Sequence, residues 1–543
     1  MASGSRDSKT EVPPAGPTVE AEGLSDLDLP PQAGRPRIIA IGSGKGGVGK
    51  SLLAANIGIY LAQLGRRTVL VDADLGGANL HTFVGVQRPQ VTLGDLFNRR
   101  VARIEDCIVE TPISGLGLLS GEGDPLWVAD PRPATKRRLL EGVLALEADF
   151  LICDLPSGSG FIALDFFLIS HVGVMVVVPE PTSAENAYRF LKSAFLRRLR
   201  RLPALGPQAG ALLERLTQLC GPDSEGGIPA PLDLYEAARA SDPALGRIVE
   251  QELLRFRPRL VVNQTRTRAD QEMGPQMRSA GRRRLGLQVE YLGHIESDDA
   301  VIHAVRRRHP LLVDHPESRV AKSIERMARM LIIEDERPPA AVPRRTEEQT
   351  LYEVMEVDPG ASEEEIRRAA RRQRETYAAD SMVMCGLYSP ERLHVVQRRI
   401  DEACDTLLDA ERRRRYDLKL FPDGIPPEGR RRRPAGDSGE QRPVTDPRVQ
   451  APELPVLSSE TEFTGPLLQR LRESRQIELP DIAARTKIGI AQLRAIEAEQ
   501  WDALPASVYL RGFLTEYAKC LRLEPQQVVR SYLERFQRER GEV

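Results

Sequence analysis

Residues Arg37 to Ser51 read RIIAIGSGKGGVGKS. An apolar run, Ile38 to Ile41, drops into a glycine-rich turn that ends in Lys50-Ser51 ahead of a helical pattern (Leu52, Leu53, Ile57, Tyr60, Leu61). This is the G-x-x-x-x-G-K-[ST] spacing of a phosphate loop in its strand–loop–helix setting. Gly44, Gly46, Gly47 and Gly49 let backbone amides close around a pyrophosphate, and the helix N-terminus adds a favourable dipole. Lys50 is positioned to reach the β- and γ-phosphates, and the Ser51 hydroxyl to ligate Mg²⁺. With Val48 and Leu52, the residues from Gly44 to Leu52 make up the candidate cradle for that pyrophosphate.

Composition bounds what surrounds that loop. A chain of 543 residues is too long for one core and implies several domains. An apolar fraction of 41% and a charged fraction of 28% describe an ordinary water-soluble protein. A net charge of −2 exerts no global pull on nucleic acid or anionic membrane, so local patches must carry any such role. The six cysteines (Cys107, Cys153, Cys220, Cys385, Cys404, Cys520) are scattered without a CxxC pair. That spacing argues against zinc ribbons and iron–sulfur ligation and fits a reducing cytoplasm. No run approaches the ~20 apolar residues of a membrane span, and the N-terminus lacks a signal-peptide layout.

Around the loop, apolar runs alternate with helical patterns from Pro36 to about Asp335, which predicts an α/β domain with a mostly parallel sheet. The clearest strands are Arg37–Ile41, Thr68–Asp72, Phe150–Asp154, Val172–Val178, Pro258–Asn263 and Glu290–Gly293. Residues 202–252 interrupt the rhythm as a helical insert. Residues 1–35 read as a disordered leader, 336–349 as a linker, 350–420 as a helical domain, 421–462 as a disordered linker and 463–543 as a second helical domain. The Arg430 to Arg433 run within the second linker is read as solvated.

Three further stretches belong with the loop. TVLVDADLGGANLH (Thr68 to His81) brings Asp72 and Asp74 off the carboxyl end of a strand, where open α/β sheets place their ligand crevice. DFLICDLPSGSG (Asp149 to Gly160) ends a strand on Asp154, a Walker B pattern whose carboxylate holds Mg²⁺ through water. VVVPEPTSAENAYRFLK (Val176 to Lys192) and the later Asn263 follow in order. Together with the KGGVGKS loop these resemble the MinD/ParA ATPases with a deviant phosphate loop, and FlhG-type members above all. The resemblance implies a P-loop NTPase that forms a homodimer with ATP between two protomers. Within it, Lys45 reaches across to the partner's nucleotide, Asp74 positions the hydrolytic water, and Asn79 lies close to the dimer-facing nucleotide. Asn263 bonds the adenine, while Ser51, Asp72 and Asp154 serve Mg²⁺. Lys45, Lys50 and Asp74 are thus the candidate catalytic residues. YLGHIESDDAVIHAV (Tyr291 to Val305) resembles the segment closing over the base, with Glu296 in place of a proline. That family ends its domain with a membrane-binding amphipathic helix. Here Ser318 to Ile332 carries Val320, Ile324, Met327 and Leu331 on one face, a stripe read as core, so a membrane partner is not supported.

Two appendages follow. LYEVMEVDPGASEEEIRRAARRQRETY (Leu351 to Tyr377) and RIDEACDTLLDAERRRRYD (Arg399 to Asp417) resemble the helices of a DnaJ J-domain. Ala378-Ala379-Asp380 stands where the His-Pro-Asp tripeptide is due, so stimulation of a chaperone is not expected. An ordinary antiparallel helix pair is the rival reading. Leu467 to Leu523 has helix–turn–helix spacing and resembles the N-terminal helix–turn–helix domain of RodZ, with Thr486-Lys487-Ile488, Leu504-Pro505 and Arg511-Gly512-Phe513 in register. Its second helix, about Ile490 to Gln500, offers Gln492 and Arg494 but also Glu497 and Glu499, which favours a protein partner over DNA. The expectation is an ATP-hydrolysing switch that contacts protein partners through its helical appendages. The alternative is a DNA-binding regulator in which the ATPase sets oligomeric state.

Overall fold

The computed structural model describes residues 36–422 and 463–540, except 76, 122–132, 203–208, 221–227, 334–339, 475–478, 480–481, 483–485, 487, 489, 502–503, 505–506, 522 and 524. The leader, the Arg430–Arg433 stretch and most of the second linker lie outside the described residues. The described residues fall into two compact units, one within Met1–Asp437 and one within Ser438–Val543.

The first unit is built on one eight-stranded sheet. In chain order its strands are β1 (Arg37–Gly42), β2 (Thr68–Asp72), β3 (Ile108–Glu110), β4 (Leu116–Leu119), β5 (Phe150–Asp154), β6 (Val172–Val177), β7 (Arg259–Thr265) and β8 (Glu290–Glu296). The spatial order is β3-β4-β2-β5-β1-β6-β7-β8. Only the edge pair β3/β4 is antiparallel. The six strands read from sequence are present, with β7 and β8 running further than expected. The edge strands β3 and β4 are additions, each too short to show a period of its own.

Alternation along β1 explains why the strands read as unbroken apolar runs. Ile38 and Ala40 enter one core layer, while Ile39 and Ile41 enter the other, and all four are fully buried. Helices cover both faces, as parallel sheets require. Lys50–Gln63 and Arg319–Ile332 lie on one side; Phe161–Ile169, Pro181–Arg200 and Arg268–Leu285 lie on the other. The stripe on Arg319–Ile332 is core: Val320, Ile324 and Met327 are fully buried, and Leu331 is nearly so. Among the described residues, no helix is long and apolar enough to cross a membrane. Helices Ala209–Leu219, Pro231–Ser241 and Pro243–Arg255 fill the interval between β6 and β7.

Residues 351–420 form four helices, Leu351–Met355, Glu363–Thr376, Pro390–Leu407 and Ala410–Leu420. Ser362 caps the second, its hydroxyl accepting from the Glu365 amide while the Glu365 carboxylate accepts from the Ser362 amide. This block packs directly onto the α/β domain and shares one hydrophobic core with it. The described part of the preceding stretch is also seated. Thr346 and Gln349 are buried, and Arg345 pairs with Glu236.

The second unit is helical, with Gly465–Ser474, Ile490–Glu497, Ser507–Cys520 and Pro525–Arg540 around Leu468, Ile496, Leu514 and Tyr532. Its centre is polar as well as apolar. Arg472 forms a two-point ion pair with Glu497, and the Tyr517 hydroxyl donates to the same carboxylate.

A candidate nucleotide cradle at the carboxyl edge of the sheet

Strand β1 is central, and its loop leads into helix Lys50–Gln63 between the carboxyl ends of β5 and β6. Two glycines in the loop are required by geometry. Gly49 caps the helix at φ 92° and ψ 23°, and a Cβ there would lie 2.3 Å from Asn263 Nδ2. A Cβ on Gly44 would lie 2.3 Å from the Asn186 carbonyl carbon. The loop is propped from the end of β7. Asn263 Nδ2 donates to the Val48 carbonyl at 2.7 Å, and Gln264 Nε2 donates to the Gly47 carbonyl at 3.3 Å. Gln264 adopts φ 59°, a left-handed conformation that costs a non-glycine residue roughly 1–2 kcal/mol. Asn263 is therefore engaged with the loop itself.

The acidic residues converge as parallel pairing dictates. Asp72 and Asp154 are directly opposite in the β2/β5 register. Asp72 is fully buried; its Oδ2 accepts from the Leu80 amide at 3.0 Å and its Oδ1 from the Asp74 amide at 3.3 Å. Its two oxygens thus hold the turn that carries Asp74. Burial, then the charge of Asp154, pushes the Asp72 carboxyl up to about 8, against the pull of the two amides. Burial raises Asp154 to about 6, opposed by the Ser51 hydroxyl and the Lys50 ammonium and reinforced by Asp74. Asp74 is half-buried beside the loop, and Asn79 is exposed at the start of helix Leu80–Phe83.

Lys50 is 8% exposed, so its charge is already desolvated beside Asp154. Asp154 Oδ1, in contrast, is buried without a hydrogen-bond partner. A buried carboxylate oxygen left unpaired next to a serine hydroxyl and a lysine is what a hydrated Mg²⁺ would satisfy. The residues present therefore fit Mg²⁺ with a nucleotide phosphate.

Lys45 stands at the rim with its side chain 40% exposed. Its Nζ is paired with Glu180 and lies 3.4 Å from Thr182 Oγ1. Both partners belong to the start of helix Pro181–Arg200. Sequence reading marked the PEPTS stretch by resemblance but missed Glu180, Thr182 and Gln264 as the residues that hold the loop. An acid before Pro-Thr and a glutamine after Asn263 were the available signals. Further along the same side, the helix after the Asp154–Gly160 turn is anchored by Asp165. Burial alone would raise this carboxyl, but Arg197, Arg201 and Lys136 hold it below the usual range.

The Asp72/Asp154 pair makes stability depend on pH. The folded, nucleotide-free protein keeps the Asp72 proton up to about 8, whereas a free aspartate releases it near 3.8. The folded state then binds the extra proton throughout that window, so stability falls as pH rises through it. Thermal midpoints measured from pH 4 to 8 are expected to decline, and Asp72→Asn to flatten the decline. An unchanged slope in that variant would refute the assignment.

Comparison with known proteins agrees with this geometry. Residues 35–199 match the ParA family model, described as NUBPL iron-transfer P-loop NTPase, and residues 467–528 match a helix–turn–helix domain model. The chain is 32% identical over 158 residues to the antiactivator FleN of Pseudomonas aeruginosa, covering 29% of this chain and 55% of FleN. It is also 32% identical over 177 residues to the iron–sulfur cluster carrier protein of Bacillus subtilis, covering 32% and 47% of the two chains. The chain thus spans about half the length of these curated relatives. A chain of the MinC:MinD cell division protein complex of Aquifex aeolicus aligns at 22% identity over 56% of this chain and 99% of that one, with a TM-score of 0.36. Residues 35–199 are thus similar to ParA-type P-loop NTPases, with FleN among the relatives, and residues 467–528 to a helix–turn–helix domain.

Proposed function

We propose that this protein is an ATP-driven switch of the cytoplasm that dimerises with ATP between two protomers, hydrolyses it, and engages protein partners through its helical appendages. The observation that carries this reading is the state of Lys45: at the mouth of a formed cradle, half-exposed, and held by Glu180 and Thr182 of its own chain. An exposed ion pair of this kind is worth ~1 kcal/mol or less and is readily exchanged. A nucleotide phosphate presented by a second copy is a stronger acceptor for the same ammonium. That difference lets ATP favour the dimer.

Within the cradle, the Gly44–Leu52 segment and the helix N-terminus wrap the phosphates, and Lys50 neutralises them from a desolvated position. Ser51 and Asp154 hold Mg²⁺, with Asp72 behind them fixing the turn. Mg²⁺, when bound, supplies charge neutralisation between the phosphates. Asp74 orients the attacking water from the carboxyl end of β2, and Asn79 faces the second protomer. Asn263 bonds the adenine from beneath the loop it already braces. Full-length protein carrying Asp74→Ala is expected to double in mass on light scattering with Mg–ATP and to stay monomeric with Mg–ADP. A monomer that still binds ATP would overturn the dimer reading.

We read residues 350–420 as a J-like block lacking its tripeptide and seated on the α/β domain. The loop after Ala378-Ala379-Asp380 is pressed against the ATPase module, with Val383, Met384 and Leu387 buried in the shared core. Partners would therefore meet the opposite faces of this block.

One observation favours the second reading, DNA contact. The two acids that counted against it do not project from helix Ile490–Glu497. Glu497 is buried against Arg472, and Glu499 is tied to Arg535 and the Gly465 amide. Arg494 and Arg511 are exposed. Full-length protein should then retard duplex DNA with an affinity that falls steeply between 50 and 200 mM salt, and Arg494→Glu should weaken it. Absent or salt-insensitive binding leaves the protein-partner reading.

A further inference from the structure

Helix Pro181–Arg200 connects two places that the sequence leaves unrelated. Its first residues hold Lys45; one turn on, Glu185 meets residues 381–388 of the helical block. Gly386 allows that approach. It sits at φ 66°, and a Cβ there would lie 2.3 Å from Glu185 Cγ. The Cys385 thiol faces Glu185 Oε2 at 3.8 Å. Tyr188, the next turn, is buried in the shared core.

The block cannot slide on this helix because Arg283 bolts it to the α/β domain. This arginine of helix Arg268–Leu285 is 5% exposed. It donates to the Val354 carbonyl at 2.6 Å and to Gln373 Oε1 at 3.2 Å, lies 4.8 Å from the Tyr377 ring centroid, and has Glu356 at 3.7 Å. A buried guanidinium with these partners penalises any shift that separates them. At its other end, helix Pro181–Arg200 is pinned by Arg197 to the buried Asp165. The first two turns of the helix, ~10 Å long, therefore transmit a displacement at Glu185 to Glu180 and Thr182 with little bending.

We propose that Glu185 and Arg283 are positioning residues for the Lys45 switch. The helical block, locked in place by Arg283, sets helix Pro181–Arg200 so that Glu180 and Thr182 retain Lys45 in its own protomer, and docking of the block raises the ATP concentration needed to dimerise. This inference rests on the dimer switch proposed above.

The test is a thermodynamic cycle in full-length protein carrying Asp74→Ala, with ATP-dependent dimerisation followed by light scattering. Gly386→Ala wedges the block away from Glu185 and is expected to lower the half-dimerising ATP concentration about fivefold, with affinity for fluorescent ADP unchanged. In a Glu180→Gln background, with Thr182→Ala added, the wedge should have no further effect, because the hold it acts through is gone. Glu185→Ala, which removes atoms rather than adding them, should shift the ATP requirement in the same direction if the glycine variant fails to fold. Equal shifts with and without Glu180, or none in either while dimers form, overturn the coupling and leave the dimer switch intact. Absence of any ATP-dependent dimer in the parent overturns both.

Discussion

Lys50→Ala is expected to cost about 2–5 kcal/mol of Mg–ATP affinity, roughly 30- to 4,000-fold, in a titration of full-length protein with fluorescent ATP. Three features set the size of that loss. Lys50 opens helix Lys50–Gln63, whose first-turn amides already face the cradle and whose first turn carries no acid to compete for them. Its ammonium is desolvated, so a phosphate meets a charge that has little water left to lose. It is also a cation that holds down the Asp154 carboxyl. With the lysine removed, burial and the neighbouring acids act on that carboxyl with less opposition, and it takes up a proton at higher pH. The variant should therefore bind nucleotide weakly and lose part of its Mg²⁺ dependence. Affinity within threefold of the parent would show that Lys50 does not touch the nucleotide.

Arg472→Ala is expected to destabilise the C-terminal helical unit by about 3–5 kcal/mol. In a unit of this size that lowers its calorimetric midpoint by more than about 10 °C. The cost lies in what remains rather than in what is lost. Glu497 is 5% exposed and would be left buried without its guanidinium partner, facing the Tyr517 hydroxyl. Burial, and then Glu497, also holds that hydroxyl well above its ordinary range. Replacing the whole group as Arg472→Met, Glu497→Leu and Tyr517→Phe should recover most of the stability, because no buried polar atom is then stranded. A single variant as stable as the parent would mean that water reaches Glu497.

Much of the α/β unit was legible because its information is local. A parallel strand buried on both faces must be continuously apolar, and β1, β2, β5 and β6 read that way. The phosphate loop declares itself through glycines that only a close backbone approach requires, as Gly49 against Asn263 illustrates. Edge strands β3 and β4, of three and four residues, carry no such signal. The placement of the acids in the C-terminal unit was illegible for the opposite reason. Glu497 and Glu499 look like surface charges on a helix, but which face of that helix is inside depends on Arg472, 25 residues earlier, and on Tyr517, 20 residues later.

By itself the sequence determined the strands and helices of the α/β unit and the glycine–lysine spacing of its loop, since each follows from a local pattern. Only the tertiary structure decided where the charges end up. Parallel register sets Asp72 opposite Asp154, whose charge adds to burial in raising the Asp72 carboxyl. Chain folding carries Glu180 and Thr182 to Lys45 across more than 130 residues. It also buries Arg283 in a block of helices that sequence reading took for a separate appendage. Pairings of that range have no period to read, because the energy that fixes them is the desolvation and pairing of groups brought together only when the core closes.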